Sequence, residues 1–191
     1  MEHGGVLLEE TQLSNIIDSI VGMSSVKRFH GRTTIHQQTI ADHSCRVAQL
    51  AFFIALEQYK GDYTKANYVA TQGLFHDFSE SILKNDLSNP IKSRHGIGQA
   101  LKKLETDVVK TMFPESEHIQ NLILEKAEAL DYNILKLADI IDFGLYVWDE
   151  IQCGNKHMLP LISVFQSEFK KFPYPLAALD FSQACYNKIV G

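Results

Sequence analysis

The stretch Gly73-Leu74-Phe75-His76-Asp77-Phe78-Ser79-Glu80 constrains the fold more than any other part of the chain, because an otherwise apolar helical run carries an imidazole and two carboxylates within five residues. Successive helical side chains point about 100° apart, so His76 and Asp77 cannot both face one core on regular helical geometry. They can converge on one small object near a helix end. A divalent cation satisfies both groups where unpaired buried charge is costly. An isolated His-Asp pair more often straddles the boundary between core and solvent, so the metal reading depends on ligands supplied from elsewhere.

The flanking sequence supplies helices to carry such ligands. Leu13, Ile16, Ile17, Ile20 and Val21 recur at i, i+3, i+4 spacing, which predicts an amphipathic helix from Leu8 to Val21 stopped by Gly22. Residues 24–38 lose the period and crowd Arg28, Phe29, His30, Arg32, His36 and Gln37 into a polar connector, a solvated loop by default and a pocket lining if metal ligands follow. Thr39-Ile40-Ala41-Asp42 has the form of a capping box, which fixes His43 in the first turn of a helix running through Val47, Leu50, Ala51, Ile54 and Leu56 to Lys60-Gly61. Thr64 then caps a helix that places His76 and Asp77 near its C-terminal end. Gly73 costs that helix about 1 kcal/mol relative to Ala, which points to close approach of another helix or of a ligand.

Asn85 to Pro90 is a turn cluster, and Ile97 to Met112 is an amphipathic helix ending before Pro114. Further helices are expected from Glu117 to Ala129, from Tyr132 to Ile151 with Asp131 as cap and Gly154 as stop, from Met158 to Phe172 and from Leu176 to Val190. Asp139 falls in the second or third turn of the long helix. With no strand-like alternation, internal repeat or low-complexity run, the expected fold class is all-α, a single helical domain over residues 1–191.

Composition narrows the function classes. A net charge of −5 argues against a protein that lives on duplex nucleic acid, whereas a small phosphorylated substrate needs only a few local cations. Cys45, Cys153 and Cys185 lack a paired CxxC spacing, so neither a disulfide framework nor a cysteine zinc site is indicated and a reducing cytoplasm fits. The acidic start Met1-Glu2-His3-Gly4-Gly5 and the absence of an apolar run near about 18 residues predict no membrane association.

His43, His76-Asp77 and Asp139, in that order and on separate helical segments, resemble the signature of the HD-domain metal-dependent phosphohydrolases. Arg28-Phe29, Thr39 to Ser44, His76-Asp77-x-x-Glu80, Asp86-Leu87-x-x-Pro90-x-Lys92 and Lys136-x-Ala138-Asp139 look like the 5'-deoxynucleotidase (YfbR-like) branch, which includes phage dATP triphosphohydrolases. The resemblance spans residues 28–149 and departs at Asn85, where relatives carry Gly, and at Phe29, where many carry Trp. It implies an HD-domain helical bundle with His43, His76, Asp77 and Asp139 as metal ligands. Two imidazoles and two carboxylates suit Mn²⁺, Co²⁺, Fe²⁺, Ni²⁺, Zn²⁺ or Mg²⁺, and sequence does not choose among them.

Glu80 and Asp86 are then the expected catalytic acids. Arg28, Lys92 and Lys84 are the expected phosphate contacts, with Arg94 beside them, Phe29 packs on the sugar, and Gln37 or Gln38 reads the base edge. The resemblance leads us to expect hydrolysis of the 5' phosphoester of a deoxynucleotide, with dATP giving deoxynucleoside plus triphosphate ahead of a monophosphate giving deoxynucleoside plus phosphate. A non-catalytic nucleotide-binding HD protein is the alternative from another class. A homo-oligomer is also expected from the resemblance, with Tyr146 and Trp148 as aromatics placed either at the interface or in the core.

Overall fold

Helices form where the apolar period and the caps coincide, and the computed structural model describes residues 10–84, 97–114, 117–124 and 129–191. In chain order the helices are α1 (Glu10–Met23), α2 (Ile40–Gln58), α3 (Tyr63–Phe75), α4 (Phe78–Leu83), α5 (Ile97–Met112), α6 (Glu117–Ile123), α7 (Ala129–Gln152), α8 (Pro160–Phe169), α9 (Tyr174–Ala177) and α10 (Asp180–Val190). A 3₁₀ turn, Lys156–Met158, links α7 to α8. Among the described residues there is no β-strand, and an isolated antiparallel bridge joins Lys27 to Thr39. The all-α expectation therefore holds. No helix among the described residues is long and apolar enough to cross a membrane.

Several helix ends differ from the sequence pattern, each for a local reason. Helix α1 ends at Met23, one residue past Gly22, whose bare Cα lets Ser81 O of α4 approach to 3.4 Å of where a Cβ would stand. Asp62, not Thr64, caps α3: its backbone is extended and its carboxylate accepts the amides of Thr64 and Lys65 at 3.0 and 3.1 Å. Asp131 lies inside the first turn of α7, where its carboxylate accepts the Tyr59 hydroxyl and ties α7 to the end of α2. Helix α6 ends at Ile123 rather than Ala129. The two C-terminal helices shorten to α8 and α10, because Pro173 and Pro175 support a separate short turn, α9.

Helix α7 is the axis of the fold. Its 24 residues span about 36 Å at 1.5 Å per residue, and it buries Ile134, Leu135, Leu137, Ala138 and Ile141. These pack against Val47, Leu50, Ala51 and Ile54 of α2, Val69 of α3, Phe165 and Phe169 of α8 and Ile189 of α10. Two glycines set the closest approaches. A Cβ on Gly73 would stand 3.0 and 3.1 Å from the Cα and N of Ala48, and one on Gly144 would stand 2.6 Å from the Phe165 ring. Gly73 thus fulfils the close-approach expectation, with α2 as the neighbour.

The connector between α1 and α2 is an ordered strap across the second half of α7. The fully buried Glu150 carboxylate accepts the amides of Ile35 at 2.7 Å and His36 at 2.6 Å and the Asn155 side-chain amide at 2.6 Å. Asn155 also donates to Thr33 O at 2.9 Å, and the Tyr146 hydroxyl donates to His36 O at 2.6 Å. Burial works against the Glu150 charge, yet the bonds from Asn155, His36 and Ile35 hold this carboxyl below its usual range. Tyr146 is buried against the strap and Trp148 packs on the main core beneath Lys188, which places both aromatics within the fold.

Helices α2 and α3 carry His43 and His76, so their spacing links stability to the candidate site. Gly73→Ala should lower stability by about 1–3 kcal/mol, because the new methyl meets backbone rather than a movable side chain. A chemical-denaturation midpoint unchanged from wild type would contradict this packing.

Candidate metal centre

The sequence places the four expected ligands on three helices, and the caps bring them together. The Thr39 hydroxyl accepts the Asp42 amide at 3.2 Å and the Asp42 carboxylate accepts the Thr39 amide at 3.0 Å, the expected capping box. This sets the rotation of α2 and turns His43 fully inward. His76 closes α3 with helical backbone angles, whereas Asp77 departs to φ −105° and ψ 16° before α4 begins. That break is the reason two adjacent side chains meet at one point despite the ~100° offset of a regular helix.

The ligand atoms of His43, His76 and Asp77 all lie within 4.8 Å of one another, and Asp139 adjoins His43. His43 Nε2 lies 3.1 Å from His76 Nε2, 3.3 Å from Asp77 Oδ2 and 3.3 Å from Asp139 Oδ1. His76 Nε2 lies 3.4 Å from the same Asp77 oxygen. The other ring nitrogens are committed elsewhere: His43 Nδ1 faces Asp142 Oδ2 at 2.6 Å and His76 Nδ1 faces Gly73 O at 2.7 Å. Both of those partners accept, so each Nδ1 carries the proton and donates. Each neutral ring therefore aims the lone pair of Nε2 into the cluster. Two imidazole lone pairs and two carboxylate oxygens then converge with no donor among them.

Such a set requires a cation. Donors 2.0–2.2 Å from one ion stand about 3.0 Å apart at right angles and about 3.4 Å apart at tetrahedral angles. The His43, His76 and Asp77 spacings of 3.1 to 3.4 Å match the edges of a coordination shell, and Asp139 Oδ1 adds one further edge of 3.3 Å to His43 Nε2. Without an ion, a proton fills the same need. Burial and the Arg28 charge work against a charged His43 ring, but its bonds to Asp139, Asp142 and Asp77 outweigh them and push its pKa up to about 10. Asp77 and Asp139 are partly exposed. Despite the burial that opposes their charge, the two histidines hold both carboxyls well below the usual range.

Sequence reasoning missed Asp142 and Arg46. Asp142 is fully buried and lies three residues after Asp139 on α7. Its carboxylate accepts from His43 Nδ1 at 2.6 Å, from Arg46 Nε at 2.5 Å and from Gln38 Nε2 at 2.9 Å, with Arg28 Nη1 at 4.0 Å. Burial opposes the Asp142 charge, and the contacts with His43 and Arg46 keep its carboxyl low. The available signals were the i, i+3 spacing of Asp139 to Asp142 and of His43 to Arg46. Each puts a second ionisable side chain on the same helix face as a ligand.

The remaining expected residues divide. Glu80 lies in the first turn of α4 and is 5% exposed, so its carboxylate is held in the interior next to the ligand-bearing break. Asp86, Lys92 and Arg94 lie outside the described residues. Arg28 is partly buried, and its guanidinium stands 6.0 Å from the Phe29 ring centroid. Phe29 adopts φ +56° and stacks on Tyr146 at 4.6 Å between ring centroids. Gln37 is exposed and donates to Arg28 O at 2.9 Å, whereas Gln38 is buried on Asp142. Lys84 is exposed at the left-handed end of α4 and faces a cavity of about 1080 Å³ that Lys27, His30 and Ser81 also line.

A family model described as 5'-deoxynucleotidase YfbR-like matches residues 15–185. No curated protein sequence matches the chain. Among solved structures, a Pyrococcus horikoshii protein superposes with a TM-score of 0.69 at 19% identity, covering 93% of this chain and 98% of its own. A conserved hypothetical protein from Pyrococcus furiosus gives 0.65 at 22% identity, covering 92% and 96%. An HD-domain phosphohydrolase from Listeria innocua gives 0.61 at 19% identity, covering 93% and 97%. At these identities the likeness is one of fold.

If Asp142 sets the tautomer and the angle of His43, removing its charge should weaken metal binding without dismantling the helices. Asp142→Asn should raise the dissociation constant for Mn²⁺ or Co²⁺ by about 10- to 100-fold with the helical circular dichroism retained. Metal affinity equal to wild type would remove Asp142 from the centre.

Proposed function

Because this chain belongs to the YfbR-like family of 5'-deoxynucleotidases and is accordingly a metal-dependent hydrolase of phosphoester bonds, we propose that it cleaves the 5' phosphoester of a 2'-deoxynucleotide. The observation that carries the proposal is the cluster of His43, His76 and Asp77 ligand atoms, with Asp139 3.3 Å from His43 Nε2 and the buried Glu80 three residues beyond Asp77. His43, His76, Asp77 and Asp139 would hold the ion. When bound, a divalent ion polarises a phosphoryl oxygen and lowers the pKa of a coordinated water.

The chain's own residues supply the rest. Glu80 takes a proton from the attacking water as its oxygen bonds to phosphorus, the bond from phosphorus to the 5' oxygen breaks, and Glu80 returns the proton to that oxygen. The products are a deoxynucleoside and a phosphate or triphosphate, and Glu80 regains its starting state. Arg28, held beside Asp142, neutralises charge that builds on the phosphoryl oxygens. Phe29, fixed by its stack on Tyr146, offers an apolar face to the sugar. The side-chain oxygen of Gln37 accepts from a base edge.

Two phosphate lengths are open to this chemistry, and each has an observation behind it. Lys27, His30 and Lys84, which line a cavity that the Glu80 helix also borders through Ser81, favour a triphosphate such as that of dATP, whose added charge needs cations beyond the first phosphate. Asp18 and Asp107 line the same cavity and offset part of its charge. Together with the family's 5'-deoxynucleotidase description, they favour the monophosphate as the second reading.

Glu80→Gln keeps the side-chain size and removes the base, so kcat should fall by about 100-fold or more while Mn²⁺ or Co²⁺ affinity is unchanged. Retained kcat would take Glu80 out of the chemistry. The same assay on wild type with dATP and dAMP side by side should release inorganic triphosphate from dATP. Turnover of dAMP alone assigns the monophosphate, and no turnover of any deoxynucleotide with any divalent ion would overturn the proposal.

A further inference from the structure

We propose that His36, Asp149 and Cys153 form a second metal site, separate from the centre built on His43, which takes one borderline-soft divalent ion of the Zn²⁺ class. Asp149 lies on the last turn of α7 and Cys153 one residue past its end, at i, i+4, and the i→i+4 backbone bond continues the helical path so that both side chains leave the same side. The helical bond from the Cys153 amide to Asp149 O is intact at 3.0 Å. Asp149 lies ten residues, or about 15 Å, further along α7 than Asp139.

The third ligand comes from the strap, and its backbone is fixed on both sides. The His36 amide donates to Glu150 Oε1 at 2.6 Å and its carbonyl accepts the Tyr146 hydroxyl at 2.6 Å. The imidazole is thereby presented to the helix, with His36 Nδ1 3.6 Å from Asp149 Oδ2. One ligand atom from each of the three residues lies within 4.8 Å of the others. Around a tetrahedral ion with bonds of 2.0–2.3 Å, nitrogen and oxygen ligands stand about 3.4 Å apart and nitrogen and sulfur about 3.6 Å apart. The His36 to Asp149 edge, 3.6 Å, is already near that length.

The chemistry of the set and of its surroundings agrees with this assignment. Thiolate, imidazole and carboxylate together select a borderline-soft ion over a hard one, in contrast to the all N/O set of the first centre. The Asp149 carboxylate already faces the His36 ring, itself a ligand of the proposed site, at 3.6 Å. Glu150 Oε1, 3.8 Å from His36 Nδ1, adds a buried negative charge behind the site. All three ligands are exposed, which leaves the ion an open path and a fourth position for water. An ion here clamps the strap to α7, and the same strap carries Gln38 onto Asp142.

Cobalt(II) reports thiolate ligation directly, because a Co²⁺–thiolate bond gives a charge-transfer band that N/O ligation does not. Reduced full-length protein titrated with Co²⁺ should develop this band, and Cys153→Ala or Cys153→Ser should abolish it while Co²⁺ uptake at the first centre persists. His36→Gln and Asp149→Asn should each shift the titration midpoint of the band upward by at least about tenfold. All three side chains are exposed, so the variants retain the fold. Absence of the band in wild type, its survival in the Cys153 variants through Cys45 or Cys185, or an unchanged midpoint in His36→Gln and Asp149→Asn would each overturn the site. The readout is spectroscopic and independent of turnover, so it stands or falls apart from the phosphohydrolase proposal.

Discussion

The lone pairs of His43 and His76 and an Asp77 oxygen, 3.1 to 3.4 Å apart, with an Asp139 oxygen 3.3 Å from His43 Nε2, are a cluster of acceptors that repel one another unless a positive charge lies between them. That repulsion is the constraint to which the rest of the molecule answers. The Nδ1 atoms of both rings are locked by acceptors, so neither ring can turn a donor inward to relieve it. A proton on His43 is the protein's own remedy and a divalent ion is the stronger one. An ion taken up by these residues would have to displace that proton.

Holding four acceptors in place takes three helices and a rigid backing. Gly73 lets α3 ride against Ala48 of α2, so His43 and His76 meet tip to tip. Helix α7 brings Asp139 to the cluster and Asp142 behind it, where Arg46 and Gln38 complete the bonding of the Asp142 carboxylate. A buried carboxylate with one partner would be a liability. With His43, Arg46 and Gln38 around it, Asp142 becomes a fixed reference for the ring it orients. Glu150 repeats the device further along α7 and pins the strap that carries Arg28 and Phe29.

Much of this was legible in the sequence, and the reasons for the rest are physical. The capping box at Thr39 and the His76-Asp77 pair were readable because each depends on residues within three positions of one another. The helix break at Asp77 was foreseen in outcome, since adjacent side chains could converge only near a helix end. Asp142 was not legible, because an acid three residues after Asp139 looks the same on a solvated face as in a buried network. Its partners come from the strap and from α2, over 90 residues away in the chain. Glu150 hid for the same reason, as its acceptor role is defined by the Ile35 and His36 amides 115 and 114 residues earlier. At the start of α3, Asp62 and Thr64 are both good caps, and the extended backbone of Asp62 decided between them.

The central claim is that His43, His76, Asp77 and Asp139 share one divalent ion. Crystals grown with Mn²⁺ or Co²⁺, with diffraction collected at the absorption edge of that metal, test it most directly. The account predicts an anomalous peak about 2.0–2.3 Å from His43 Nε2, His76 Nε2, one Asp77 oxygen and one Asp139 oxygen at once. An active, metal-loaded protein whose anomalous peak lies elsewhere, with these four atoms free of it, would contradict the account.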